Sequence, residues 1–131
     1  MELNIAVSPG ELIDKITILE IKRSRFSDPA QLRNVTHEYD ILSLVVAAEI
    51  VPSPRLAELR AALKAINETL WQVEEDLRDH ERRQAFDQKF IEAARLVYIS
   101  NDKRASLKRQ INELLGSRLI EEKSYESGRS V

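Results

Sequence analysis

The chain has 131 residues, 43% hydrophobic and 32% charged, with a net charge of −2. That balance describes a folded, water-compatible protein, and it lacks the basic excess of nucleic-acid binders, so no nucleic acid is expected as a partner. Three Gly and four Pro leave little room for a turn-rich β architecture, and the lack of Cys excludes disulfides, thiolate nucleophiles and Cys-ligated metal centres.

The length fits one helical domain, residues 1–131, which would bury roughly two-thirds of the surface its unfolded chain exposes. The N-terminal residues carry no basic region of the kind that precedes a secretory signal. The most apolar run, Ile41 to Val51, is interrupted by Ser43 and Glu49 and falls short of a membrane span. A cytoplasmic protein is expected.

Leu3, Ile5 and Val7 alternate with polar neighbours, as in a short half-buried strand. Ser8-Pro9, Asp28-Pro29 and Ser53-Pro54 each place Pro behind a good N-cap, where its missing N–H costs nothing. Glu11 and Gln31, three residues beyond the first two caps, read as capping boxes. Helix 1, about 9–25, is apolar around most of its circumference through Leu12, Ile13, Ile16, Ile18, Leu19 and Ile21, and is expected to be central. Helix 2, about 29–50, shows Leu32, Val35, Tyr39, Leu42 and Val46 in heptad steps. Helix 3, about 54–81, carries the seam Leu56, Leu59, Leu63, Ile66, Leu70, Val73 and Leu77, which specifies long side-by-side helix packing.

His80 and Gln84 then fall on the seam, and Phe86 and Phe90 do not keep its register. A hairpin is expected there in preference to one very long helix, with Asp87 as the N-cap of helix 4, about 88–115, and Phe86 and Ile91 as a hydrophobic staple. Gly116 is the expected terminator. The tail, 116–131, holds Leu119, Ile120 and Tyr125 among charged residues, and either pairs with the first strand or wraps the bundle. The fold class is all-α: a four-helix, bundle-like domain with a long antiparallel helix 3–helix 4 hairpin and a possible short N-terminal strand.

Helix 4 is unusual in its middle. From Phe90, steps of four and three reach Ala94, Val97, Asn101, Arg104, Lys108, Ile111 and Leu115, so polar residues occupy the stretch of the stripe that should face a neighbour. Two cations there require counter-charges, water or an anion, because a buried unpaired charge costs several kcal/mol. Folding the hairpin brings Asn67 level with Asn101, and Arg60 and Lys64 level with Lys108 and Arg104. Four converging cations would suit phosphate or carboxylate. Acids such as Glu58, Glu113 or one on helix 1 would neutralise them instead. The alternative is a helix broken within Ser100 to Ser106.

On helix 3, Asn67, Trp71, Glu74, Arg78 and Glu81 share a face beside the apolar seam, with Glu74 and Arg78 spaced for an ion pair and Trp71 placed to cover it or to stack on a planar ligand. From Glu68 to Glu81 six acids stand against one Arg, and from Arg95 to Arg118 six basic residues stand against two acids. Mutual attraction of two adjacent helices is the simplest account of that asymmetry. Glu11 with Asp14, and Glu75 with Asp79, have spacing that would hold Mg²⁺ but is equally common on solvated faces. His37 and His80 match no metal-ligand spacing, so no metal and no cofactor are expected. Neither a phosphate-binding glycine loop nor a nucleophile–base pair is present, which makes catalysis improbable; Glu74 is the one acid to nominate as an acid–base group.

Residues Val7 to Lys22, then Ile66-Asn67, Leu70-Trp71, Glu74-Glu75 and Arg78, then Phe86-Asp87, Tyr98, Asn101-Asp102-Lys103-Arg104, Lys108 and Ile111-Asn112, resemble a family of short uncharacterised bacterial proteins encoded near glycosyltransferase genes for lipopolysaccharide or other surface polysaccharides. The resemblance spans about residues 3 to 125 and implies a pathway rather than an activity or catalytic residues. Where that pattern has Glu-Asp, this chain has Glu74-Glu75. The combined expectation is a helper or binding module in surface-polysaccharide assembly, with Trp71, Glu74, Arg78, Tyr98, Asn101, Arg104 and Lys108 around an anionic or sugar-phosphate ligand, a homodimer through the surplus apolar surface of helices 1 and 3, and a possible glycosyltransferase partner. The competing expectations are a small all-α enzyme, chorismate mutase-like or nucleotide pyrophosphohydrolase-like, and a purely structural oligomerisation element.

Overall fold

A computed structural model describes residues 1–124 of the chain. Four helices form: α1 (Pro9–Arg25), α2 (Pro29–Glu49), α3 (Pro54–Arg83) and α4 (Gln88–Leu114). Each of the first three starts at the cap its sequence announces, with Ser8 accepting from the Glu11 N–H, Asp28 from that of Gln31 and Ser53 from that of Leu56. Only half of the first capping box closes, because the Glu11 carboxylate is engaged with Lys108 rather than with the cap.

The helix 3–helix 4 turn falls at Gln84, whose φ of 53° ends α3 in the left-handed region. Asp87 caps α4 by accepting from the Phe90 N–H, and Phe86 packs edge-on against the Phe90 ring, with centroids 5.1 Å apart. Ile91, the expected staple partner, is exposed. α4 then runs unbroken through Ser100 to Ser106 and ends before Gly116, whose φ is 64°.

Helix α1 lies at the centre, with the α3–α4 hairpin on one side and α2 on the other. Ile13 joins Leu56, Leu59, Leu63 and Ile111 in the buried core, and Val46, Ile50, Ile66, Leu107 and Leu115 pack around them. Helix α2 returns along α1 after a three-residue link, Arg23 meeting Tyr39 near the turn and Val46 and Ile50 reaching the core around Ile13 at the far end. Its backbone comes close to α1 alone among the helices. Its outer stripe of Ile41, Leu44 and Val45 is therefore left in solvent, Leu44 at 71% exposure, as is Val51 in the link that follows.

The expected N-terminal strand is not formed. Residues 1–8 have no regular structure, Leu3 and Ile5 are 80% and 78% exposed, and no strand exists among the described residues to pair with them. A lone ribbon has neither enough hydrogen bonds nor a covered face to hold itself together. Tyr125 lies outside the described residues. Among those residues, no helix is long and apolar enough to cross a membrane.

Candidate functional site: a charged seam between α1 and α4

Glu11, Asp14 and Thr17 are spaced three apart on α1 and so point one way, toward α3 and α4. Asp14, 1% exposed, receives a bidentate fork from Arg104: Nε donates to Oδ1 at 2.9 Å and Nη2 to Oδ2 at 2.5 Å. The Asn67 amide donates to the same Oδ1 and to the Thr17 hydroxyl, both at 2.9 Å, while that hydroxyl donates to the Asp14 carbonyl. The pairs Glu11–Lys108 and Asp14–Arg104 show that α1 runs antiparallel to α4.

Lys108 is held by two carboxylates, Glu11 at 2.6 Å and Glu121 at 3.1 Å. Burial works against its charge, but the hydrogen bonds and charges of those acids outweigh it, so its pKa stands above the ordinary lysine value. Glu121 also accepts from the Ser8 hydroxyl at 3.0 Å. At the foot of the seam the Gly10 N–H donates to the Asn112 side chain at 2.7 Å. The backbones approach so closely there that a Cβ on Gly10 would lie 2.4 Å from the Lys108 carbonyl oxygen.

Arg60 and Lys64 do not join this group. They clasp Glu20 at 2.5 and 3.0 Å; burial raises the Glu20 pKa, yet the two cations lower it further, leaving it below the usual range. The four cations expected to converge are thus split into two sets, Arg104 and Lys108 paired with Asp14 and Glu11 of α1, and Arg60 and Lys64 sharing the single α1 acid Glu20. The charge asymmetry has the same resolution. Among the described residues no ion pair joins the acids of α3 to the bases of α4; Arg104 and Lys108 are met by α1 and by Glu121, and Arg109 by Glu113 of its own helix and by Glu122.

The other expected site residues do not gather around Arg104 and Lys108. The Trp71 ring packs on Phe26 at 5.9 Å and lies 5.8 Å from the Arg25 guanidinium, and its indole N–H donates to Glu75 rather than Glu74. Glu74 and Arg78 are exposed and form no ion pair. The Tyr98 hydroxyl accepts from Arg95 at the surface. Asn101 is half-buried and is not bonded to Asn67, whose amide is already used by α1.

The carboxylates with Mg²⁺-like spacing have protein partners. Glu11 and Asp14 hold Lys108 and Arg104, Glu75 holds Trp71, and Asp79 holds Arg82 and Arg83. Among the described residues no three His, Asp or Glu side chains converge as metal ligands. His80 is buried against Phe90 with Nδ1 2.9 Å from the Ala85 carbonyl, which ties it to the hairpin turn. His37 lines an open depression on α2.

Thr17, Asn112 and Glu121 are the seam residues whose roles sequence reasoning missed, as it did that of Glu20 beside the seam. Glu11 and Asp14 carried a signal: two acids on a helix that is otherwise apolar nearly all round, matching in spacing two bare cations on α4.

A family of unknown function, DUF6165, matches residues 3–131. The chain matches no curated protein and no solved structure.

Proposed function

We propose that this chain, which belongs to that family of unknown function, is a helical accessory module of bacterial surface-polysaccharide biosynthesis that binds an anionic ligand at the α1–α4 seam. The pathway rests on the resemblance of the α1, α3 and α4 motifs to proteins encoded near glycosyltransferase genes for lipopolysaccharide or other surface polysaccharides, and a glycosyltransferase is the proposed partner. The protein acts in the cytoplasm, where nucleotide-sugars and sugar phosphates are handled.

The observation that carries the ligand reading is the coordination of Lys108. One of its carboxylates, Glu11, belongs to α1, whereas the other, Glu121, comes from a segment without regular structure. Asn101, Arg104 and Lys108 form the α4 side of the site, Arg104 mainly by positioning Asp14. Trp71, Glu74, Arg78 and Tyr98 serve, on this reading, as outer contacts for the rest of a larger ligand or for the partner protein.

Anything that binds only the folded state raises the melting temperature. Phosphate, sulfate and nucleotide-sugars should do so for the parent protein, and Lys108→Met should remove the rise while leaving the protein folded. A parent melting temperature that no anion moves at constant ionic strength would eliminate the reading.

The exposed stripe on α2 favours a second role, homodimerisation. Ile41, Leu44 and Val45, spaced three and four apart, form an apolar face of α2 left in solvent. An isologous pairing of two such faces would give the common two-fold dimer.

A further inference from the structure

The segment after α4 folds back across the charged seam; beyond the Ser117 N–H bond to the Asn112 carbonyl that closes α4, residues 121–123 are fastened to the body by side chains. The Glu121 carboxylate takes the Ser8 hydroxyl and the Lys108 ammonium, Glu122 lies 3.8 Å from Arg109, and Lys123 reaches Asp102 at 2.8 Å. The groups receiving Glu121 belong to the packed body of the protein: Ser8 is buried and caps α1, and the Lys108 side chain is 14% exposed. Glu121 is 51% exposed. A fixed, largely desolvated hydroxyl and ammonium thus hold a half-solvated carboxylate borne on an irregular strap.

We propose that Ser8 and Lys108 form a carboxylate-binding subsite that the chain's own Glu121 occupies, and that a ligand of the sugar-acid class binds by displacing it. This inference rests on the anion-binding reading above and names its ligand class and its control. Charge selects the class. With the strap in place the acids Glu11, Asp14 and Glu121 face the bases Arg104 and Lys108, leaving one excess negative charge. A monoanionic carboxylate replaces Glu121 charge for charge and can accept from the same two donors. A phosphate dianion would add a second excess charge beside two carboxylates already there, so it should bind this site more weakly than a monoanionic carboxylate. Displacement is within reach because the Glu121 carboxylate is itself half in solvent, and an ion pair with one partly solvated member contributes little. Helix α1 contributes as well, since its N-terminal dipole favours an anion beside Ser8.

The test is a titration of full-length protein with glucuronate, and separately with inorganic phosphate, at constant ionic strength, followed by backbone amide shifts of Ser8, Gly10 and Lys108. Glu121→Gln should bind glucuronate roughly fivefold more tightly than the parent, the scale of one half-solvated ion pair, and Glu113→Gln should behave as the parent. Lys108→Met should bind neither probe. Equal glucuronate affinity in parent and Glu121→Gln would overturn the strap while leaving the anion site standing. Failure of both proteins to bind either probe would remove the anion site and the strap together. A phosphate gain as large as the glucuronate gain would overturn the assignment to carboxylates.

Discussion

Arg104 and Asp14 stand 90 positions apart in the chain and meet through a two-point fork, with the carboxylate 1% exposed and the guanidinium side chain about one-third open to water. The pair is asymmetric, and so are the costs of breaking it. Arg104→Ala strands a buried carboxylate, which is expected to cost about 3 kcal/mol or more, whereas Asp14→Asn leaves a cation that can turn to solvent and should cost distinctly less. Urea denaturation of the two variants measures this; equal losses would contradict the assignment. The same geometry makes Lys108, not Arg104, the residue with which to probe ligand binding without undermining the fold.

Gly10 sets the spacing of α1 and α4. Gly10→Ala drives a methyl group into the Lys108 carbonyl and the Asn112 side chain, atoms of the opposite helix that cannot swing away without separating the two helices. A loss of about 2 kcal/mol is expected, from overpacking and the weakened Gly10–Asn112 hydrogen bond, even though Ala is the better helix former. A variant as stable as the parent would show that the helices are not in contact there.

Glu20 predicts a particular acid limb. Its folded pKa lies below the ordinary value of 4.5, so its clasp with Arg60 and Lys64 contributes stability that is complete above pH 4.5 and lost as the pH falls below it, through the folded pKa. Glu20→Gln should cost about 1 kcal/mol at pH 7, reduced from a fully buried pair by the partial exposure of the cations, and less than that near pH 3. Melting temperatures across this range should converge at low pH; a constant gap would contradict the pairing.

The α2 surface makes the oligomer testable by one substitution. Light scattering at tens of micromolar should give a mass near twice 15.1 kDa for the parent and a monomer for Leu44→Glu, with unchanged helicity. A monomeric parent would remove the dimer.

Much of this architecture is written locally. Ser8-Pro9, Asp28-Pro29, Ser53-Pro54, Asp87 and Gly116 mark helix ends because capping and proline geometry depend on a few neighbouring residues, and the apolar seam of α3 reveals its packing face because helical period is a property of the chain itself. The failure of register at His80 marks the hairpin for the same reason. The polar stripe at Asn101, Arg104 and Lys108 was equally legible, as was its need for counter-charge. Which groups answer that need was decided only in three dimensions, by the rotation of α1 that turns Glu11 and Asp14 toward α4 and by the close approach that Gly10 permits. The pairing of Trp71 with Glu75, the diversion of Arg60 and Lys64 to Glu20, the solvent-facing stripe of α2 and the return of Glu121 to Lys108 depend likewise on how the helices are placed. Periodicity tells which residues share a face; it carries no information about which face of a distant helix stands opposite.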